Sequence, residues 1–203
     1  MFNSLLLAGL VWATGVAAPL CPVSLSAAPT RPAAVLAAVH SVPMRAALTL
    51  PGASASDEKF LEEEAFVAMI NAERSERGLS ILAVDPMLTA TARAHSEEMC
   101  SLDYFDHHSP TPGISSPMDR YLASAKQLGQ SQPEYLLVGE NIYYCSVSND
   151  IYNVDYAHRA LMASPDHRAN ILEPRFAKVG IGIYRSAKGE FWVTEMFSRD
   201  RNP

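Results

Sequence analysis

Apolar residues recur at helical spacing in two segments that begin with recognisable caps. Between Asp57 and Arg77 the apolar positions follow Glu-rich opening turns, which suit the positive end of a helix, and Gly78 terminates the segment. Asp85 followed by Pro86 marks the start of a second helix. One side of this helix is formed by residues that recur at helical spacing: Leu88, Ala92, His95 and Met99. The pattern predicts two amphipathic helices, the second with a histidine on its buried stripe.

The remaining elements follow from cap, turn and alternation signals. They are a helix over 116–126, a buried strand over 135–138, a helix over 150–163, and strands over 179–184 and 191–197 that 186–189 joins as a hairpin. Because the helices come first and the clearest strands last, the order favours an α+β fold over a doubly wound parallel sheet.

The charge pattern divides the chain near Asp57. Residues 1–56 contain no Asp or Glu, and their Ala- and Pro-rich composition cannot bury enough apolar surface to form a core. Leu5–Ala18 is an apolar run of 14 residues, shorter than the roughly 20 that span a bilayer and matched to the core of an export signal. We therefore expect a secreted, extracellular or periplasmic protein without a transmembrane segment in its mature form. Its predicted parts are a signal peptide over 1–28, a disordered linker over 29–56 and one domain over 57–203.

The charge and the cysteines of the predicted domain narrow its partners and its chemistry. With 14 Lys and Arg against 22 Asp and Glu, its net charge of −8 excludes nucleic acid and anionic membrane surfaces as electrostatic partners. Processing removes Cys21, which leaves Cys100 and Cys145 as an even pair in an oxidising compartment, and this predicts a disulfide. Two buried thiols are the alternative, because the sequence does not give the Cα separation.

Three separated segments each offer a side chain suited to one polar site: His107, Glu140 and His167. Each is interpreted as a loop or an element end, where functional groups concentrate. Two imidazoles and a carboxylate can hold a divalent ion or move a proton, whereas the structural alternative is a buried hydrogen-bonded network that fixes the loops. The adjacent His108 is interpreted as an exposed neighbour. Ser164 lies three residues before His167, but no acid is identified that would orient the pair as in a serine hydrolase.

Five segments in order resemble the CAP superfamily, which comprises the cysteine-rich secretory, antigen 5 and pathogenesis-related proteins, and are closest to its bacterial branch. They are Asn71-x-x-Arg74-x-x-x-Gly78-Leu79, His95-Ser96-x-x-Met99, Tyr104–Pro110, Gly139-Glu140-Asn141-Ile142 and Ser164–Leu172. The resemblance covers Phe60 to Phe197 and implies a three-layer α-β-α sandwich. It also implies a central cleft in which His107 and His167 can hold a divalent ion such as zinc, with Glu140 as a neighbouring acid or tentative catalytic base.

The resemblance assigns structural roles to Asn71, Arg74, His95, Asn141, Arg168 and Asn170. Many animal and plant members carry a tryptophan on the fourth helix and a second glutamate three residues after it, where this chain has Leu161 and Ser164 respectively. We take Ser164, Asp166 and Glu195 as further candidates for the cleft. Alternation places Glu195 on a strand face with Val193 and Phe197, where a carboxylate needs a partner.

Three functions fit these observations. The first is a binding module whose cleft accepts a small apolar ligand or a peptide and one divalent cation. The second is a metal-dependent or Glu/His-assisted hydrolase, for which the three-residue cluster is the only support. The third is an envelope or host-interaction protein that acts through its surface. Oligomeric state is left open by the sequence.

Overall fold

The computed structural model describes residues 9–12, 55–127, 129, 135–146 and 154–200. Most of the predicted signal peptide and linker lies outside these residues, as do the first four residues of the predicted fourth helix. Export, processing and the domain boundary stay predictions.

The described part of the chain contains five helices and five strands. The helices are α1 (Ala55–Glu76), α2 (Pro86–Ser101), α3 (Pro117–Gln127), α4 (Val154–Ala163) and α5 (Pro165–Ile171). The strands are β1 (Gly9–Trp12), β2 (Ala83–Val84), β3 (Tyr135–Cys145), β4 (Lys178–Arg185) and β5 (Phe191–Asp200). All four predicted helices and all three predicted strands are confirmed as elements. The short β1, β2 and α5 were not predicted.

The strands form one sheet in the order β1-β3-β5-β4-β2. The three long strands pair antiparallel, whereas β1 pairs parallel to β3 and β2 pairs parallel to β4. The edge strand β1 falls within the apolar run of the predicted signal peptide and lies beside Leu137–Glu140. Helices cover both faces of the sheet, so the predicted α+β class and three-layer α-β-α sandwich are confirmed.

Alternate residues of β3 point to different layers. Leu137, Tyr143 and Cys145 belong to the apolar core shared with α1, α4 and α5. Val138 and Ile142 pack instead with residues of α2 and α3. A strand side chain therefore faces either the α1/α4/α5 layer or the α2/α3 layer, and its neighbours along the strand face the other.

Two glycines of β4 allow α2 to lie directly on the sheet. A Cβ added at Gly180 would come within 2.2 Å of Thr89 N, and one added at Gly182 within 2.1 Å of the Ala92 carbonyl carbon. Ser96 then reaches the strand itself, since its hydroxyl hydrogen-bonds the Gly182 carbonyl at 2.8 Å. The His95-Ser96 pair thus lies on the helix surface that is pressed against the sheet.

Two of the three candidate segments differ from their sequence interpretation. Glu140 lies in the middle of β3 rather than in a turn, because β3 pairs with β5 along almost its whole length, from Tyr135 to Cys145. His167 lies within α5 rather than in a loop. Pairing of β3 with the distant strand β5 fixes the position of Glu140. The short helix that starts at Pro165 fixes the position of His167. Only His107 has the loop position expected of it.

The predicted Cys100–Cys145 disulfide is not formed, and both residues are present as thiols. Cys145 is buried in the core of the α1/α4/α5 layer, whereas Cys100 lies in the last turn of α2 on the other side of the sheet, packed near Met99 and Trp192. A disulfide needs Cα atoms within roughly 7 Å and converging Cβ vectors. Side chains on opposite faces of a sheet do not meet that condition.

Candidate functional site

Glu140 is the centre of a buried polar cluster in the α2/α3 layer. Its carboxylate is almost fully buried, and each oxygen has a partner. Oε1 is 2.8 Å from His107 Nδ1, and Oε2 accepts a hydrogen bond of 2.6 Å from Arg120 Nη2. The Nε2 atom of the wholly buried His95 lies 3.8 Å from Oε1. The carboxylate is therefore held between a guanidinium group and two imidazoles.

The cluster keeps Glu140 ionised. Burial raises the pKa of this carboxyl group, but His95, Arg120 and the hydrogen bond from His107 lower it, and the result is a pKa of about 2. Arg120 is the permanent charge among these groups, because a guanidinium does not deprotonate in proteins. Burial lowers the pKa of His95. Glu140 is an anchored anion at neutral pH.

The loop that carries His107 is tied down by Glu98 of α2. The Glu98 carboxylate accepts hydrogen bonds from the hydroxyl groups of Tyr104, Ser109 and Thr111, on both sides of His107. Arg120 also donates to the His107 carbonyl, at 3.1 Å. The imidazole of His107 is only 11% exposed and points its Nδ1 at Glu140. Because a carboxylate only accepts, Nδ1 carries the proton, and Nε2 is the nitrogen with the lone pair in the neutral ring.

His167 approaches the same region from α5. Ser164 is the N-cap residue of this helix and makes no side-chain capping bond; its Oγ lies 2.8 Å from His167 Nδ1 instead. Burial lowers the pKa of His167, and the nearby His107 lowers it further. His167 lies beside β3, since its carbonyl accepts a hydrogen bond from Asn141, the sequence neighbour of Glu140. Both rings can thus present Nε2 while Nδ1 is held by an oxygen atom.

Two asparagines fasten α5 to β3. Asn141 Nδ2 donates to the carbonyl of His167 at 3.0 Å, and Asn170 Nδ2 donates to Asn141 Oδ1 at 2.9 Å and to the Glu140 carbonyl at 3.2 Å. Glu140, Asn141 and Asn170 are all buried. The position of His167 relative to Glu140 is therefore set by amide side chains that the sequence interpretation had placed in structural roles.

The other predicted residues differ in their exposure and in their hydrogen-bond partners. Asp166 and Arg168 are exposed, and Arg168 donates to the Met162 carbonyl. Glu195 is buried on the opposite face of the sheet from Glu140, paired with Asn141. Asn71 exchanges two hydrogen bonds with the backbone of Leu82. Arg74 is buried and donates to four carbonyl oxygens, those of Ser80, Ile171, Glu173 and Phe176.

The sequence interpretation missed Arg120 and Glu98. Arg120 could have been found, because it lies on the buried stripe of α3 with Pro117, Tyr121 and Ala125. A charged residue on an apolar stripe needs a buried partner of opposite charge. Glu98 carried a weaker signal, since it is one of two adjacent glutamates and only the folded loop shows which of them is used.

The residues present fit a simple divalent-cation site only in part. Within the described ranges, no group of three or more His, Cys, Asp or Glu side chains is placed to hold a metal ion. His107 and His167 are the two imidazoles available, and each has a neighbouring oxygen at Nδ1 that orients the ring, as is usual for metal-binding histidines. Two protein ligands leave coordination positions for water or for a ligand.

A cavity of about 300 Å³ opens between α2 and α3, next to this cluster. His95, Glu98 and Arg120 form part of its wall, and Ala94, Ile114 and Ala123 make another part apolar. Its size is at the lower end of the range found for small-molecule sites.

The described part of the chain contains a CAP domain. The model of the CAP, or cysteine-rich secretory protein, family matches residues 67–197, and the chain belongs to this family. It is 36% identical over 137 residues to the uncharacterized protein YkwD of Bacillus subtilis, covering 68% of this chain and 47% of YkwD.

Solved structures give the same fold. An extracellular protein containing an SCP domain from Bacillus anthracis aligns with a TM-score of 0.59 at 26% identity, covering 71% of this chain and 42% of that protein. An outer surface protein of Borrelia burgdorferi aligns with a TM-score of 0.58 at 14% identity, covering 69% of this chain and 93% of that protein. The chain spans less than half the length of the two Bacillus proteins.

Proposed function

We propose that this chain is an exported CAP-domain binding module whose cleft holds a divalent cation through His107 and His167 and accepts a small apolar ligand or a peptide beside it. The observation that carries the proposal is the engagement of both Glu140 oxygens, by His107 and by Arg120. That arrangement makes Glu140 an orienting group for the His107 ring and leaves the ring's Nε2 as the coordinating atom.

The same observation weighs against the hydrolase alternative. A general base works best when its pKa is near the operating pH, whereas Glu140 has a pKa of about 2 and two strong hydrogen-bond donors. A bound cation would supply Lewis acidity in the cleft. Glu140 orients the imidazole of His107, Ser164 orients that of His167, and burial lowers the pKa of His167.

Export is supported by the acid-free composition of residues 1–56 and by the description of the Bacillus anthracis relative as extracellular. No helix in the described residues is long and apolar enough to cross a membrane. The cavity beside Arg120 supports the proposed organic ligand, because it leaves space next to the polar cluster.

Zinc titration tests the cation. We expect isothermal titration at pH 7.5 to give one site with micromolar affinity, and His167→Ala to weaken it at least tenfold, about the loss seen when a single supporting residue is removed from a metal site. Affinity falls with decreasing pH, because zinc competes with protons for the imidazoles. Because the pKa of His167 is lowered, protons compete for this ligand only at lower pH than for an ordinary histidine.

His108→Ala is the matched control, because its side chain is 63% exposed and next to His107 in sequence. It should bind zinc as the wild type does. Equal binding by wild type and His167→Ala, or an equal loss in His108→Ala, would contradict the proposed site.

A further inference from the structure

Glu195 is a buried acid on the face of the sheet opposite Glu140, and the arrangement described above gives it no role. Glu195 is 0% exposed. Oε2 accepts a hydrogen bond of 2.7 Å from Asn141 Nδ2, while Oε1 has no hydrogen-bond partner among the described residues. An isolated carboxylate with one neutral donor is costly to bury, so the group should take up a proton.

The hydrogen bonds around Asn141 have a unique orientation. The His167 carbonyl can only accept, so the atom of Asn141 that faces it must be the NH₂ group, and Asn170 must then direct its own NH₂ group at Asn141 Oδ1. The two amide protons of Asn141 therefore go to His167 and to Glu195. In the neutral acid, a proton on Oε1 leaves Oε2 as the carbonyl oxygen that accepts from Asn141.

We infer that Glu195, in its neutral form, is the positioning residue for His167: it fixes the Asn141 amide, which in turn holds the first turn of α5 against β3. An ionised Glu195 would pull the Asn141 amide towards itself and strain the bond to the His167 carbonyl. This inference rests on the proposed role of His167 in the cleft and adds a second support, on the far side of the sheet from Glu140.

The surroundings of Glu195 agree with a neutral acid. Ile181 of β4 lies beside it in register, and Phe66 and Ile70 of α1 belong to the core of the same layer. Of the ionisable side chains on the helices of this layer, Glu63 and Arg74 of α1 and His158 of α4 are buried, and His167 of α5 is partly buried. None of them contributes to the pKa of Glu195, which burial raises to about 8 and the Asn141 hydrogen bond alone lowers.

Carbon-13 labelling of glutamate carboxyl groups in the full chain tests the first step. We expect the Glu195 resonance, assigned by its loss in Glu195→Gln, to titrate near pH 8 rather than near the ordinary 4.5. The side-chain amide of Asn141 and the backbone amide of His167 should shift with the same midpoint in the wild type, and not in Glu195→Gln. A Glu195 midpoint below 6, or a high midpoint without a response from Asn141 and His167, would overturn the inference.

Thermal unfolding supplies an independent readout. The pKa of Glu195 is raised in the folded state, so the folded protein binds one more proton than the unfolded chain between pH 4.5 and about 8, and stability falls as pH rises through this window. Glu195→Gln keeps the shape and stays neutral, so its melting temperature should exceed that of the wild type by a margin that grows from pH 5 to 8 and then levels off. Glu97→Gln, an exposed carboxylate on α2, should show no such growing margin.

Zinc binding links the inference to the cleft. Glu195→Gln should bind zinc within twofold of the wild type at pH 7, whereas Glu195→Leu, which cannot accept from Asn141, should bind at least tenfold more weakly. Equal zinc affinity in the leucine variant, with the helical circular dichroism retained, would overturn the positioning role. If the wild type itself binds no zinc, the proposed cation site fails, while the resonance shifts of His167 and Asn141 still decide whether Glu195 positions α5.

Discussion

Replacing Arg120 with methionine should lower the free energy of unfolding by about 3–5 kcal/mol, the usual cost of leaving a buried charge without its partner. The variant keeps the length of the side chain but removes the guanidinium that donates to Glu140 Oε2 and to the His107 carbonyl. Chemical denaturation at pH 7 measures the loss. Arg159→Met is the control, since the Arg159–Asp155 pair is exposed and such pairs contribute about 0–1 kcal/mol.

The effect of Arg120 should depend on pH in a defined direction. The pKa of Glu140 falls from 4.5 in the unfolded chain to about 2 in the folded protein, so the unfolded chain binds more protons between these values. The stabilisation is fully present above pH 4.5 and is lost as the pH falls towards 2. In Arg120→Met this acid-dependent loss should shrink, because the pKa of Glu140 rises when the guanidinium is removed.

A double variant separates loss of the charge pair from loss of packing. Arg120→Met combined with Glu140→Gln removes both charges, so it should be more stable than the sum of the single losses implies. A single Arg120→Met variant that loses less than about 1 kcal/mol, which is the range of an exposed pair, would contradict the central position given to this cluster.

Gly182→Ala should destabilise the fold by at least about 3 kcal/mol, the upper range for overpacked cores. The added Cβ would lie 2.1 Å from the backbone of α2 at Ala92 and Arg93, and a helix backbone cannot give way as a side chain can. For a domain of this size, each kcal/mol corresponds to a fall of roughly 2–4 °C in the melting temperature, so a drop of about 10 °C is expected.

Gly139→Ala is the matched comparison. Gly139 is also in the middle of a long strand, but its added Cβ would meet the ring end of Phe176 at 2.6 Å rather than a backbone. The ring can shift, so we expect a smaller loss than at Gly182. Equal melting temperatures for Gly182→Ala and the wild type would show that α2 does not pack against β4 as described.

Local signals account for much of the fold. The caps at Asp85-Pro86 and Ser116-Pro117, the helical stripes, and the hairpin turn after Arg185 predicted elements that lie where expected. These features depend on residues close together in sequence, which is why a single sequence contains them. The extension of β3 through Glu140 to Cys145 depends on pairing with β5, which is distant along the chain.

The sequence by itself determined the family, the α+β order of elements and the identity of His107, Glu140 and His167 as candidates for one site. The tertiary structure decided which face of the sheet each strand side chain occupies. The two-residue period of a strand places Glu140 in one layer and Asn141 in the other, so the first holds His107 and the second holds the carbonyl of His167. The same alternation places Cys145 on the opposite side of the sheet from Cys100, and Glu195 on the opposite side from Glu140. Long-range pairing sets the layer that each residue enters, and a linear sequence carries that information only indirectly.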